Sequence, residues 1–121
     1  MRGLVDRLGD IRVAATDILG FVAGLDEATF AALPATDRRT YRAIKNALVE
    51  IGEAIKRLPP ELMARHPAID WRGFAGLRDV VSHQYFGVEL PRLWPTVQDE
   101  LPALIAAIEA ELAAQQTGRQ A

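Results

Sequence analysis

Apolar residues recur at intervals of three and four along most of the chain, and this spacing is the strongest constraint on its fold. Such a period places apolar side chains on one face of an α-helix. Three stripes follow it, one from Leu4 to Val22, one from Tyr41 to Leu58 and one from Leu93 to Leu112. No segment sustains the alternation of apolar and polar residues that a half-buried strand requires. The sequence therefore predicts an all-α fold.

Capping residues and prolines indicate where the first helices begin and end. Asp26 could cap a short helix that runs through Leu33 and stops before Pro34. Either Thr36 or Asp37 could then cap the next long helix, which carries the second apolar stripe.

One further helix is predicted from Asp70 to Tyr85, because Gly87 offers a left-handed position at which it can stop. Pro102 lies inside the last helix and should kink it. We therefore expect one helical bundle over residues 1–114, with four main helices and one or two short ones. The polar residues 115–121 are expected to form a flexible tail.

The composition excludes several classes of protein and site. The 121 residues include no cysteine, which excludes disulfides, cysteine-ligated zinc and a thiol nucleophile. The longest apolar stretch, Leu101 to Ile108, contains Pro102 and is far shorter than the roughly 20 residues that a membrane-spanning helix needs. Residues 1–10 lack the apolar region of a signal peptide. We therefore expect a cytoplasmic protein that does not contact a membrane.

The charge is unevenly distributed, although the net charge of −2 is unlike that of most nucleic-acid-binding domains. Residues 36–78 carry nine basic and five acidic side chains. Arg38, Arg42 and Lys45 share one helix face and could contact phosphate groups. The alternative is that they are solvated surface charges, with Glu53 paired to a basic residue four positions later.

The segment 71–87 combines apolar residues with Arg78 and His83. On a regular helix, Arg78 lies about 40° from Phe74, at the flank of the apolar face, and His83 lies about 180° from Phe74. A charged residue at that flank needs a partner or an interface. Because Arg78 and His83 are then about 140° apart, either the helix end relaxes near Gly87 or two copies of the chain combine their side chains. We favour the second arrangement.

The spacing Arg78-x-x-x-x-His83-x-Tyr85 resembles the RX4HXY motif of HepT-like proteins, which are toxins of the HEPN superfamily. The resemblance covers about residues 4–112. Four further segments resemble the family in order and spacing: Ile44 to Ala54 ("IKNALVEIGEA"), Trp71 to Asp79, Tyr85 to Val88 and Asp99 to Pro102.

This resemblance implies a HEPN-type helical bundle that forms a homodimer and holds the motif in a cleft between the protomers. It implies a metal-independent RNA endonuclease that needs no cofactor and acts as the toxin of a toxin–antitoxin system. It also implies a partner, an MntA-like minimal nucleotidyltransferase antitoxin, which transfers AMP from ATP to Tyr85.

The resemblance also assigns a role to each residue of the motif. Arg78 would stabilise the scissile phosphate, and His83 would transfer protons. Asp79 replaces the more typical asparagine and could orient a 2′-hydroxyl, although its carboxylate would repel a phosphate. AMP on Tyr85 would block RNA by its bulk and charge. Lys45 stands where the family often has arginine.

Two other functions remain open on the sequence alone. One is a catalytically silent HEPN module that binds and assists a nucleotidyltransferase, and the other is a plain helical dimer. The intact set of Arg78, His83 and Tyr85 favours the nuclease. No metal-binding pattern is evident, and His66 is interpreted as a loop residue.

Overall fold

A computed structural model describes residues 3–82 and 90–120, and this part of the chain contains helices and turns but no strand. The predicted all-α fold is confirmed. A 3-10 turn at Leu90–Leu93 and a π-helical turn at Thr96–Glu100 lead into the last helix. The α-helices are α1 (Leu4–Val22), α2 (Glu27–Thr36), α3 (Arg38–Ile55), α4 (Pro60–Ala64), α5 (Trp71–Ala75), α6 (Leu77–Ser82) and α7 (Leu101–Gln120).

The core is formed where α1 packs against α3 and α7, and α3 also packs against α5 and α6. The three apolar stripes supply most of the buried side chains. Full burial of a leucine, isoleucine or phenylalanine side chain stabilises a fold by about 1.5–3 kcal/mol relative to leaving it exposed. The largest side chains with almost no exposure include Leu8, Ile11, Ile18, Phe30, Ile44, Leu48, Ile51, Leu62 and Leu101, of which Phe30 and Leu62 lie outside the stripes.

The prediction that the second helix stops before Pro34 is wrong, because the helix continues to Thr36. Proline lacks the N–H that would bond the Phe30 carbonyl four residues earlier, but its φ angle is compatible with a helix and the residues after it can still donate. The Thr36 hydroxyl donates to the Ala32 carbonyl at 3.1 Å, and the Asp37 N–H donates to the Leu33 carbonyl at 2.9 Å. Of the two residues predicted to cap α3, Asp37 is the one that does so.

The backbone irregularity near Pro102 is a π-helical turn immediately before α7. The Leu101 N–H donates to the Thr96 carbonyl five residues earlier, where a regular α-helix would bond four residues back. Pro102, which has no N–H to donate, follows this wider turn. Both π-turns and prolines are known causes of irregularity in helices. The helix then continues to Gln120, so the described backbone of residues 115–120 is helical, and the flexibility of this tail stays a prediction.

No single described helix is long and apolar enough to cross a membrane. The pair α1 and α2, which meet at 96°, would satisfy length and composition only when taken together.

A buried carboxylate joins the connection after α4 to α7. Glu111 is only 5% exposed, and it accepts hydrogen bonds from Arg65 Nε at 3.1 Å and Arg65 Nη2 at 2.7 Å. His66 Nε2 lies 2.7 Å from Glu111 Oε2, the oxygen that also accepts from Arg65 Nε. The Trp71 indole N–H donates to the carbonyl groups of Met63 and His66, both at 3.0 Å. His66 therefore belongs to a hydrogen-bonded cluster that holds the start of α5 against the bundle.

The hydrogen bonds from Arg65 lower the pKa of Glu111 from its ordinary value of 4.5, although burial alone would raise it. A carboxyl with a lowered pKa in the folded state stabilises the fold above its unfolded pKa. That contribution is lost as the pH falls through the folded pKa, because the proton then binds in both states.

We expect Glu111→Gln to lower the free energy of unfolding by about 1–3 kcal/mol at pH 7, because Arg65 and His66 lose a charged acceptor that is itself buried. The difference from the wild type should shrink in acid as Glu111 itself becomes protonated. Urea denaturation at several pH values measures both effects. Glu109→Gln, on the exposed side of α7, is the control. A difference that stays constant across the acid range would contradict the role given to the Glu111 charge.

Candidate functional site

Arg78 lies in the first turn of α6, and its guanidinium group pairs with a carboxylate from α3. Arg78 Nη1 is 2.9 Å from Glu53 Oε1. The side chain of Arg78 is 53% exposed and that of Glu53 is 38% exposed. Of the two environments expected for Arg78, a partner or an interface, the structure shows a partner, and the interface stays a prediction. The partner is not a sequence neighbour, and within the described part of the chain Glu53 pairs with Arg78 rather than with the residue four positions later.

Gly52 allows the close contact between α3 and the segment that carries Arg78. A Cβ atom on Gly52 would lie 3.2 Å from the Phe74 carbonyl oxygen and 3.3 Å from both the Ala75 carbonyl oxygen and the Arg78 nitrogen. These distances are tighter than most Cβ contacts in proteins, so a side chain here would require the neighbouring backbone to move by a few tenths of an ångström. Sequence reasoning did not identify Gly52, although a glycine in the middle of a strongly helical segment is itself a signal of close packing.

The helix predicted from Asp70 to Tyr85 is interrupted at Gly76, which separates α5 from α6. Asp70 caps α5 by accepting a hydrogen bond from the Gly73 N–H at 3.0 Å. The Gly76 carbonyl accepts from the N–H groups of both Asp79 and Val80, at 3.0 and 3.2 Å. A single helical projection therefore does not describe the whole segment.

The break leaves the two faces of the segment as the spacing predicted. Phe74, Leu77 and Val81 are buried, whereas Arg78 and Asp79 are exposed. The backbone thus presents the arginine to solvent while the apolar residues beside it anchor α5 and α6 to α3.

His83 and Tyr85 lie outside the described residues, as does the predicted helix end at Gly87. The structure therefore describes the arginine and Asp79 of the motif, and the geometry between Arg78 and His83 stays a prediction.

Two of the three predicted basic contact residues line an open cleft next to α6. The cleft has a volume of about 310 Å³ and is bordered by Arg42, Lys45, Asn46, Val49 and Val81. Its wall thus joins α3 to the helix of Arg78. The Lys45 ammonium also lies 5.4 Å from the centre of the Tyr41 ring.

Arg38, the third predicted basic contact, lies at the start of α3, is exposed, and does not border this cleft. A second and wider cleft of about 500 Å³ lies between α1 and α3, with Glu50 and Glu53 on its α3 side and Arg7 on its α1 side. Glu53 is therefore accessible from a cleft as well as bound to Arg78.

Among the residues that the structure describes, no group of three or more histidine and acidic side chains is placed so that it could hold a metal ion.

Comparison with known proteins identifies one family. The family model described as "Ribonuclease HepT-like" matches residues 11–111. A protein of Thermococcus cleftensis named as a probable ribonuclease HepT is 42% identical over 73 residues, which are 60% of this chain and 66% of that protein. No solved structure matches the chain significantly.

Two proteins of Methanocaldococcus jannaschii, both provisionally named as RNases, are also similar. One is 38% identical over 73 residues, which are 60% of each chain. The other is 33% identical over 97 residues, which are 80% of each chain. The chain thus spans less than two thirds of the first two relatives and a larger part of the third.

We expect Gly52→Ala to destabilise the protein by about 1–3 kcal/mol, because the added methyl group must push α3 away from the backbone of α5 and α6. Gly9→Ala is the matched control, since nothing lies within 4 Å of a Cβ atom at that position in α1. Alanine there should stabilise the helix by up to about 1 kcal/mol. Chemical denaturation of both variants measures the contrast, and a Gly52→Ala protein as stable as Gly9→Ala would refute the close approach.

Proposed function

This chain belongs to the HepT-like ribonuclease family, and from that membership we propose that it is a metal-independent RNA endonuclease. The observation that carries the proposal is the arginine of the RX4HXY motif, which lies exposed on α6 with its guanidinium held by Glu53. A solvent-accessible, oriented guanidinium is suited to binding a phosphate group.

The proposed reaction is attack of an RNA 2′-oxygen on the adjacent phosphorus. A bond forms between the 2′-oxygen and phosphorus, and the bond from phosphorus to the 5′-oxygen breaks. The 2′-hydroxyl proton passes to His83, and the departing 5′-oxygen takes a proton from the resulting imidazolium. The products are a 2′,3′-cyclic phosphate and a 5′-hydroxyl. Arg78 stabilises the negative charge that grows on the phosphate oxygens in the transition state.

Basic residues of α3 provide the proposed further contacts with RNA. Arg42 and Lys45 border the cleft beside α6, so phosphates that flank the scissile one can reach them. Arg38 lies outside that cleft and would contact only a longer substrate. Asp79 is exposed next to Arg78 and is proposed to orient a 2′-hydroxyl or a neighbouring side chain.

A homodimer is the proposed active form. Val80, two residues after Arg78, is 36% exposed, and an apolar residue at that position is suited to an interface. A dimer formed through this surface would place the arginine of each protomer near the motif of the other.

The proposed regulator is an MntA-like nucleotidyltransferase antitoxin, which makes this chain the toxin of the pair. In that reaction the Tyr85 hydroxyl oxygen loses its proton to a base and bonds to the α-phosphorus of ATP, while the bond from that phosphorus to the bridging oxygen breaks and pyrophosphate leaves. The AMP group would add bulk and negative charge close to the motif and so exclude RNA phosphates. The second candidate function, a silent HEPN module that assists the nucleotidyltransferase, would keep this partner without cleavage.

We expect His83→Ala and Arg78→Ala each to lower the RNA cleavage rate by about a hundredfold or more, because each removes a group that acts on the transition state. Cleavage of a single-stranded RNA by the purified protein measures this, and EDTA should leave the wild-type rate unchanged. Arg72→Ala is the control, because Arg72 is an exposed arginine on the neighbouring helix α5.

Equal cleavage by the wild type and His83→Ala would refute the assigned chemistry, and loss of cleavage in EDTA would refute the metal-free mechanism. A wild-type protein that cleaves no RNA, and that slows bacterial growth no more than His83→Ala does, would favour the silent module.

Incubation with the nucleotidyltransferase and ATP should increase the intact mass of the wild type by one or more AMP groups, and the AMP-bearing protein should no longer cleave RNA. Tyr85→Phe should gain no mass, because it lacks the acceptor oxygen. Tyr41→Phe is the control for the other tyrosine of the chain. The same gain on Tyr85→Phe as on the wild type would refute the assignment of Tyr85.

A further inference from the structure

We propose that Glu53 is a positioning residue of the RNA-cleaving site, which orients the Arg78 guanidinium for the scissile phosphate. This inference rests on the proposed function. It starts from the ion pair between Arg78 Nη1 and Glu53 Oε1, whose 2.9 Å distance joins α6 to α3.

The pair leaves part of the guanidinium available to a substrate. Arginine has five N–H donors in one plane, and the contact with Glu53 is made at Nη1. More than half of the Arg78 side chain remains exposed, at 53%, so a phosphate can approach from solvent. Glu53 therefore fixes the guanidinium at Nη1, and the phosphate binds the remaining N–H groups of Arg78.

The backbone fixes the origin of both side chains. Gly52 precedes Glu53, and a Cβ on Gly52 would lie only 3.3 Å from the nitrogen of Arg78. The two residues thus start from helices that touch at adjacent positions. The carboxylate can reach the guanidinium without a large rearrangement, and this restricts a side chain that would otherwise sample many rotamers.

Because the ion pair between Glu53 and Arg78 is exposed, a positioning role for Glu53 can be distinguished from a structural one. Exposed ion pairs contribute little to the stability of a fold, so loss of Glu53 should leave the fold intact. A carboxylate beside a phosphate site also repels the substrate and cannot increase its affinity. The contribution of Glu53 should therefore be seen in kcat and not in substrate binding.

The test compares the full-length wild type with Glu53→Ala and Glu53→Gln. Steady-state kcat and KM are measured on a single-stranded RNA oligonucleotide, and Kd is measured on the same sequence with 2′-O-methyl groups, which prevent cleavage. We expect Glu53→Ala to lower kcat about tenfold, since misplacement of a catalytic group slows the chemical step. Its Kd should be equal to or tighter than that of the wild type.

Glu53→Gln should retain about a third or more of the wild-type kcat, because its amide oxygen still accepts a hydrogen bond from Arg78. Glu50→Ala is the matched control. Glu50 lies on α3, borders the same cleft as Glu53, and accepts a hydrogen bond from Asn46 at 3.0 Å. The Glu50→Ala substitution removes the same charge without touching Arg78, and the kcat of this variant should equal that of the wild type.

The proposal is overturned if Glu53→Ala and Glu50→Ala cleave RNA at the same rate, or if the loss in Glu53→Ala appears only as weaker binding. It is also overturned if Glu53→Gln is no better than Glu53→Ala while both melt at lower temperatures than the wild type, since Glu53 would then be structural. Absence of cleavage by the wild type would refute the proposed function itself, a result distinct from these.

Discussion

The contact at Gly52 is the constraint on which the rest of the site depends. Because this position of α3 has no side chain, backbone atoms of Phe74, Ala75 and Arg78 can approach it closely. Buried apolar residues near Gly52 hold α5 and α6 against α3, and Glu53 and Arg78 reach the surface together. The same contact therefore determines both how these helices pack and where the arginine lies.

A second interaction fixes the beginning of the segment that carries Arg78. Glu111 of α7 binds Arg65 and His66, and the His66 carbonyl accepts a hydrogen bond from Trp71 at the start of α5. The candidate site is thus held at one end by charged hydrogen bonds and in its middle by close backbone packing. Both devices are needed because α5, with five residues, is too short to be stable by itself.

The sequence predicted the parts of this fold that depend on local pattern. The three apolar stripes identified most of the core, and Asp26 and Asp37, both predicted as capping residues, cap α2 and α3. Contacts between distant residues left no such pattern. Glu53 and Arg78 are 25 positions apart, and His66 and Glu111 are 45 apart, so spacing along one helix could not reveal either pair.

Local rules also failed where the backbone had more than one way to satisfy its hydrogen bonds. Pro34 was expected to end α2, but its backbone is compatible with a helix and the bonds resume after it, with Thr36 and Asp37 donating to the Ala32 and Leu33 carbonyls. Gly76 was expected to be an ordinary helix residue, but it separates α5 from α6. Within the candidate site, the sequence identified Arg78 and Asp79 but neither Gly52 nor Glu53, because their importance comes from what packs against them.

The Glu111 cluster has a consequence for the order in which the protein is built. Synthesis proceeds from the N-terminus, so Arg65 and His66 leave the ribosome well before Glu111, their partner on α7. The cluster can close only after α7 has been made and has docked on the bundle. A nascent chain that already contains the motif arginine therefore lacks the support of Glu111 until α7 has been made and has docked.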